Sequence, residues 1–382
     1  MQLGVYQLKR KITCVLLVAL IAILLSAAPS YHRNSAQGEE FQTTIDPDQY
    51  TGLNDFERLQ NALNDVPSTG ANVIVPPKVY QGSNLIVPSN VNIIGSEGTI
   101  FRLSDNATSP FLVVADDDTN VLVENIVFDG NKDNVANGNI SMVYIGQGSE
   151  QISIFNNTFR NFRNRAIATD WTEIGKYTRF ITVSQNVFCD GEGAAMIIFG
   201  PYSDETFFLE DVDICGNRLY NLTVNGKIGC AFTNRPMIRD NQIVSCEASH
   251  TGSIAIRGCR DAYIYHNSLQ ENQAIAGIYV ETSLGFPNKG TFMIENNRIV
   301  GQIGDGFSVA DSDGVEAEMI VRKNYFNDNS GIDIEIPNVE AQVYANFIET
   351  PEDLAIPPDA TASGNRDVSS LGGHAYISAR AR

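Results

Sequence analysis

From Ile152 to Ile348 one short phrase keeps returning: an aliphatic residue, one or two polar residues, an asparagine, any residue, then an apolar residue. It reads Phe155-Asn156-Asn157-Thr158-Phe159, Ser184-Gln185-Asn186-Val187-Phe188, Cys215-Gly216-Asn217-Arg218-Leu219 and Arg239-Asp240-Asn241-Gln242-Ile243. It continues through Tyr265-His266-Asn267-Ser268-Leu269, Glu295-Asn296-Asn297-Arg298-Ile299 and Arg322-Lys323-Asn324-Tyr325-Phe326 to Tyr344-Ala345-Asn346-Phe347-Ile348. Successive asparagines lie 29, 31, 24, 26, 30, 27 and 22 residues apart. A period in that range, made of short alternating strands with no helical phrase between them, is the pattern of a solenoid.

Each repeat is too small to bury its own apolar face, so successive coils must stack and pair their strands in parallel, about 4.8 Å apart. In such a stack the asparagine amide can bond its equivalents in the coils on either side. A turn asparagine also tolerates a left-handed backbone. The spacing therefore predicts a ladder of eight amides. Across most of residues 41–350 these phrases resemble the right-handed parallel β-helix of the pectate-lyase-like superfamily. The resemblance implies an all-β fold, a right-handed parallel β-helix solenoid with a short N-terminal capping helix. It does not single out a reaction, because that superfamily holds lyases, hydrolases, epimerases and noncatalytic binding proteins.

Ahead of the repeats, Lys9, Arg10 and Lys11 precede an uncharged run from Ile12 to Ala28 and then Pro29-Ser30. This is the order of a secretory signal, expected within 1–36 and implying a secreted or cell-surface protein; an uncleaved membrane anchor is the competing reading. Residues 37–53 read as a polar linker. At Asn54-Asp55-Phe56-Glu57-Arg58-Leu59-Gln60-Asn61-Ala62-Leu63 the apolar spacing becomes helical behind a capping Asn54 or Asp55. A helix there would cover the first rung of a β-helix domain over 54–350. The proline-bearing segment 351–382 reads as a tail or partial end cap. Five cysteines, Cys189, Cys215, Cys230, Cys246 and Cys259, remain after the leader; Cys230 and Cys259 fall on neighbouring coils, where either a disulfide or buried thiols would fit.

The formal charge of -19 argues against nucleic acid as a partner, because each phosphate contact needs a cation. No stable membrane partner is expected once the leader is removed. An anionic polysaccharide would be repelled too, unless calcium or a local basic patch intervened.

Alternation along the strand ahead of each asparagine phrase tells which side chains face outward. It predicts one outer column of Arg257, Glu281, Ala310 and Glu335, with Tyr279 beside it and Asp333 sharing the face of Glu335. Arg257 and Glu281 would lie one coil apart, where a surface ion pair of little energy is the plain alternative. Tyr279 would offer a platform to a sugar ring. Turns ahead of this face bring in Glu192, Lys227 and His250, predicted neighbours of one another. Asp311-Ser312-Asp313-Gly314 is similar to part of a calcium loop, with Asp311 and Asp313 as ligands, but Val309 holds the first ligand position and a plain acidic turn is the simpler reading. Calcium is the one cofactor the sequence suggests.

Elimination across a uronic acid needs the carboxylate neutralised, the C5 proton removed and the glycosidic oxygen expelled. Lys227 and Arg257 on successive coils resemble the lysine and arginine of alginate and chondroitin lyases with this fold, although Gly258 and Cys259 stand where those enzymes carry histidine and glycine. The resemblance implies a polysaccharide lyase with Lys227, His250, Arg257 and Glu281 as catalytic candidates and Tyr279, Asp333, Glu335 and Glu192 as substrate contacts. Two alternatives stand beside it. A glycoside hydrolase would pair Glu281 with Glu335, two coils apart in the predicted column and about 9–10 Å distant, near the limit for an inverting pair. The Asn-Thr-Asp, Gly-His-Gly and Arg-Ile-Lys phrases of polygalacturonases are missing. A noncatalytic carbohydrate-binding or adhesin module would need the polysaccharide partner alone.

Overall fold

The computed structural model describes residues 41–367, apart from 136–139, 173, 204–205, 282–285, 311–314, 338, 350 and 359. The expected leader, and Asp311 and Asp313, lie outside the described residues. From Ala71 onward the chain visits three sheets of 14, 12 and 11 strands in turn, and every pairing between coils is parallel. The fold is an all-β parallel β-helix, with one α-helix among the described residues.

Apolar residues recur at the same place in each coil, so the core is a set of columns. In the 11-stranded sheet Ile167, Met196, Ile228, Ile254, Ile278, Phe307 and Ile334 are in register and fully buried. In the 12-stranded sheet Phe128, Phe159 and Phe188 stack nearly flat at 4.7 and 4.9 Å.

The asparagine ladder runs from Asn157 to Asn365, one rung beyond those counted in the sequence. Asn241 Oδ1 accepts from both the backbone N–H and the side-chain amide of Asn217, each at 3.0 Å. The Asn217 amide also donates to Val183 O at 2.8 Å, two coils from Asn241. The left-handed residue is not the asparagine but the one before it: Gln185, Gly216, Asp240 and His266 have φ of 58°, 65°, 56° and 56°. The bend is made first, which leaves the asparagine free to aim its amide along the stack.

Asn54 caps the helix Asp55–Asn64 by accepting from Glu57 N at 2.9 Å, and Glu57 returns a carboxylate to Leu53 N. The helix buries Leu59, Ala62 and Leu63 over the first coil. Phe56 seats on Gly82 and meets Phe111 edge-on at 5.6 Å. The solenoid outruns the expected domain at both ends. Thr44–Ile45, inside the expected linker, pairs with Ala71–Val75. Leu354–Ala355, Thr361–Ser363 and Arg366–Asp367 add one more strand to each sheet where a tail or cap was expected. All five cysteines are free and buried; burial pushes the Cys230 thiol well up and Cys259 up to about 12.

Replacing one rung should show how much the ladder holds. Asn241→Ala strands two buried donors of Asn217, at about 1–3 kcal/mol each. The expected result is a clear fall in the urea midpoint at unchanged slope; an unchanged midpoint would mean the ladder is not a source of stability.

Candidate functional site

The 11-stranded sheet carries Arg257, Tyr279, Glu281 and Glu335 of the predicted residues on its outer face. Its register runs Ile197, Gly229, Ala255, Tyr279, Ser308 and Glu335 in one outward column. Phe199, Ala231, Arg257 and Glu281 form the next. Glu335 therefore belongs to the Tyr279 column, not to that of Glu281 as alternation suggested. The two glutamates are offset by two coils and two residues along the strand, roughly 12 Å between backbones. That exceeds the separation an inverting pair uses.

A cleft of about 690 Å³ opens on the coils of Arg165, Lys227 and Arg257, walled by Trp171, Phe199, Tyr202 and Phe232. Among the described residues no carboxylate lines it. Gly229 lies beside three of its lining residues: a Cβ there would lie 3.5 Å from Ile197 Cδ1, Lys227 Cε and Phe199 Cε1. The lysine stem is thus laid over apolar side chains, with its amine at the cleft. Burial, and then the Arg257 charge, push the Lys227 amine down to about 8, against the pull of Glu281. Arg165 lies over the Trp171 ring at 4.7 Å, and burial lowers its pKa as well. Arg257 Nε donates to Glu281 Oε1, the one pairing foreseen in the sequence that forms.

The remaining candidates are placed differently. Asp333 is 1% exposed, accepting from Asn329 Nδ2 at 2.7 Å and Glu349 N at 2.6 Å, and burial raises its carboxyl to about 6. The expected outward position fails because the strand begins only at Ile334, and the chain before it turns toward the core. Glu192 is turned to the preceding coils by Lys132 and Arg163, at 3.6 and 3.9 Å. His250 is exposed in a bulge between Ala248 and Gly252, where the strand gains residues over its neighbour. Neither Glu192 nor His250 lines the cleft with Lys227.

Farther along the face, Ser308 Oγ donates to Glu335 Oε2 at 3.0 Å. Burial and a hydrogen bond to Glu335 raise the Asp305 carboxyl to about 6. Tyr279 is held protonated, chiefly by burial and then by Glu281. Sequence reasoning missed Arg165, Trp171, Tyr202 and Phe232. The single tryptophan in the chain was the available signal for one wall; nothing local marks Phe232, whose role depends on its neighbours in other coils.

No protein-family model matches the chain, and no curated protein matches it in sequence. Solved structures match at the level of fold. An exopolygalacturonase from Thermotoga maritima is 11% identical over 90% of this chain and 96% of its own, with a TM-score of 0.53. PfbA, a surface adhesin of Streptococcus pneumoniae, is 14% identical over 85% and 91%, with a TM-score of 0.50. The enzymatically active domain of bacteriophage CBA120 tailspike protein 2 is 9% identical over 80% of this chain and 48% of its own, with a TM-score of 0.57. What these structures share with the chain is the parallel β-helix.

Proposed function

We propose that the chain binds an extended, uronate-bearing polysaccharide along the outer face of the 11-stranded sheet and cleaves it by β-elimination. The observation that carries this reading is the cleft. On a chain of charge -19, it gathers Arg165, Lys227 and Arg257 beside aromatic rings, with no lining carboxylate among the described residues. It supplies the local basic patch an anionic glycan needs. The names of the fold neighbours, an exopolygalacturonase among them, support a polysaccharide ligand.

In this reading Arg257 neutralises the uronate carboxylate and neutral Lys227 takes the C5 proton, while Arg165, three coils from Arg257, meets the carboxylate of another sugar of the same polymer. The C4–O bond breaks as its electrons leave with the glycosidic oxygen, and the C5 electron pair forms the C4=C5 double bond. Tyr279, kept protonated, returns a proton to the leaving oxygen. Hydrolysis is less well supported: Glu281 is tied to Arg257, and Asp305 hydrogen-bonds Glu335, too close for a sugar to enter between them. Binding without turnover is the second reading, favoured by the same Arg257–Glu281 pair, which already satisfies the guanidinium in part.

Ultraviolet absorbance of unsaturated uronate should appear on one or more of pectate, alginate and glycosaminoglycans. New reducing ends without that absorbance would indicate a hydrolase, and binding with neither signal would leave an adhesin. Because the base must be neutral, activity should rise with pH through a midpoint near 8. Lys227→Met should remove that limb and lower the rate by about 10²-fold or more; a retained limb would exclude Lys227 as the base. Gly229→Leu should set a branched side chain among the lining residues Ile197, Lys227 and Phe199 and abolish binding and turnover together, in a protein whose circular dichroism is unchanged.

A further inference from the structure

At the corner that leaves the 11-stranded sheet, two successive coils turn on a left-handed residue. In the coil of Arg257 it is Gly258, with φ of 54°. One coil earlier the same position is Phe232, in register through Ala231 and Arg257, with φ of 52°. Glycine adopts this backbone freely, whereas a bulky side chain is strained there. A strained residue is kept where its side chain does something glycine could not. The Phe232 ring is 7% exposed and packs on Tyr202 with centroids 4.1 Å apart, and Tyr202 in turn meets Phe286 at 3.7 Å. Gly258 completes the seat, since a Cβ there would lie 3.0 Å from Phe232 Cε1.

Tyr202 begins a hairpin, Tyr202–Ser203 paired antiparallel with Thr206–Phe207, that leaves the solenoid after Phe199. Its contacts lie in later coils: Tyr202 on Phe232 and Phe286, and Phe207 under the Arg260 guanidinium at 5.0 Å. The hairpin therefore reaches over the later coils, and its first residue, Tyr202, lines the cleft.

We propose that Tyr202 is a stacking platform for the sugar adjoining the one held by the cations, and that Phe232 is the positioning residue that fixes its ring. The ligand is then an oligosaccharide of at least two pyranose rings lying along the solenoid axis, and a single uronate fills only half of the site. This rests on the uronate reading above and adds a neighbouring, charge-independent subsite to it. Stacking of flat side chains contributes modestly and does not depend on the charge of the ring it meets.

Calorimetry with monomeric and tetrameric galacturonate, and with monomeric and tetrameric mannuronate, separates the two claims at about pH 6, where a lysine titrating near 8 is protonated and idle as a base. Tyr202→Ala should weaken a tetramer about tenfold and leave its monomer unchanged, while Tyr202→Phe keeps wild-type affinity. Phe232→Gly should reproduce the tetramer loss with the coil intact by circular dichroism. The double variant should lose no more than either single one, because both act through the same ring. An unchanged tetramer-to-monomer ratio in Tyr202→Ala overturns the platform and leaves the uronate reading standing. Additive losses in the double variant overturn the positioning role of Phe232. A wild-type protein that binds none of the four probes overturns both readings.

Discussion

A row of buried amides holds the coils in register, and the outer face depends on that register. From Asn186 onward each ladder asparagine accepts two bonds from the coil before it, so a slip of one residue would break several bonds in the core at once. The ladder lies at the corner between the 14- and 12-stranded sheets, away from the cleft. It nevertheless decides which side chains become neighbours there. Arg257 meets Glu281 because every coil between Asn157 and Asn365 is pinned at one point.

The cleft is a basic site on an acidic molecule, and its electrostatics follow from burial more than from ion pairing. Arg257 has a carboxylate partner, but the strongest influence on Lys227 is loss of water, with a second cation adding to it. An anion entering the cleft would relieve both effects. The acidic residues on the same face, Asp305 and Glu335, have settled their own repulsion by hydrogen bonding. The face is thus divided into a cationic half and an acidic half along the stack.

Columns were legible in the sequence because they depend on period alone: the repeat set the fold, alternation placed Arg257 and Glu281 on one sheet, and the place of Lys227 in its coil put it in the turn just ahead of that sheet. What failed depended on local departures from that period. His250 was displaced by a bulge, Asp333 by a strand that starts two residues later than its isoleucines suggest, and Glu335 by a shift of two residues within its coil. The aromatic wall was invisible for a different reason. Tyr202, Phe232 and Phe286 come from corners of three different coils, and corner residues follow no pattern that a single repeat could reveal. The left-handed position was misassigned by one residue because propensity favours asparagine there, while the ladder needs that asparagine for its side chain.

Coil length varies from 19 to 31 residues, yet the ladder asparagines stay aligned. The variation is absorbed at the other two corners, one of which carries the hairpin after Phe199 and only Phe232 one coil later. Such a molecule works like a shaft keyed along one edge. Segments grafted at the unkeyed edges can be lengthened, shortened or exchanged without turning any coil against its neighbours, so what the surface recognises can be rewritten while the shaft itself is left alone.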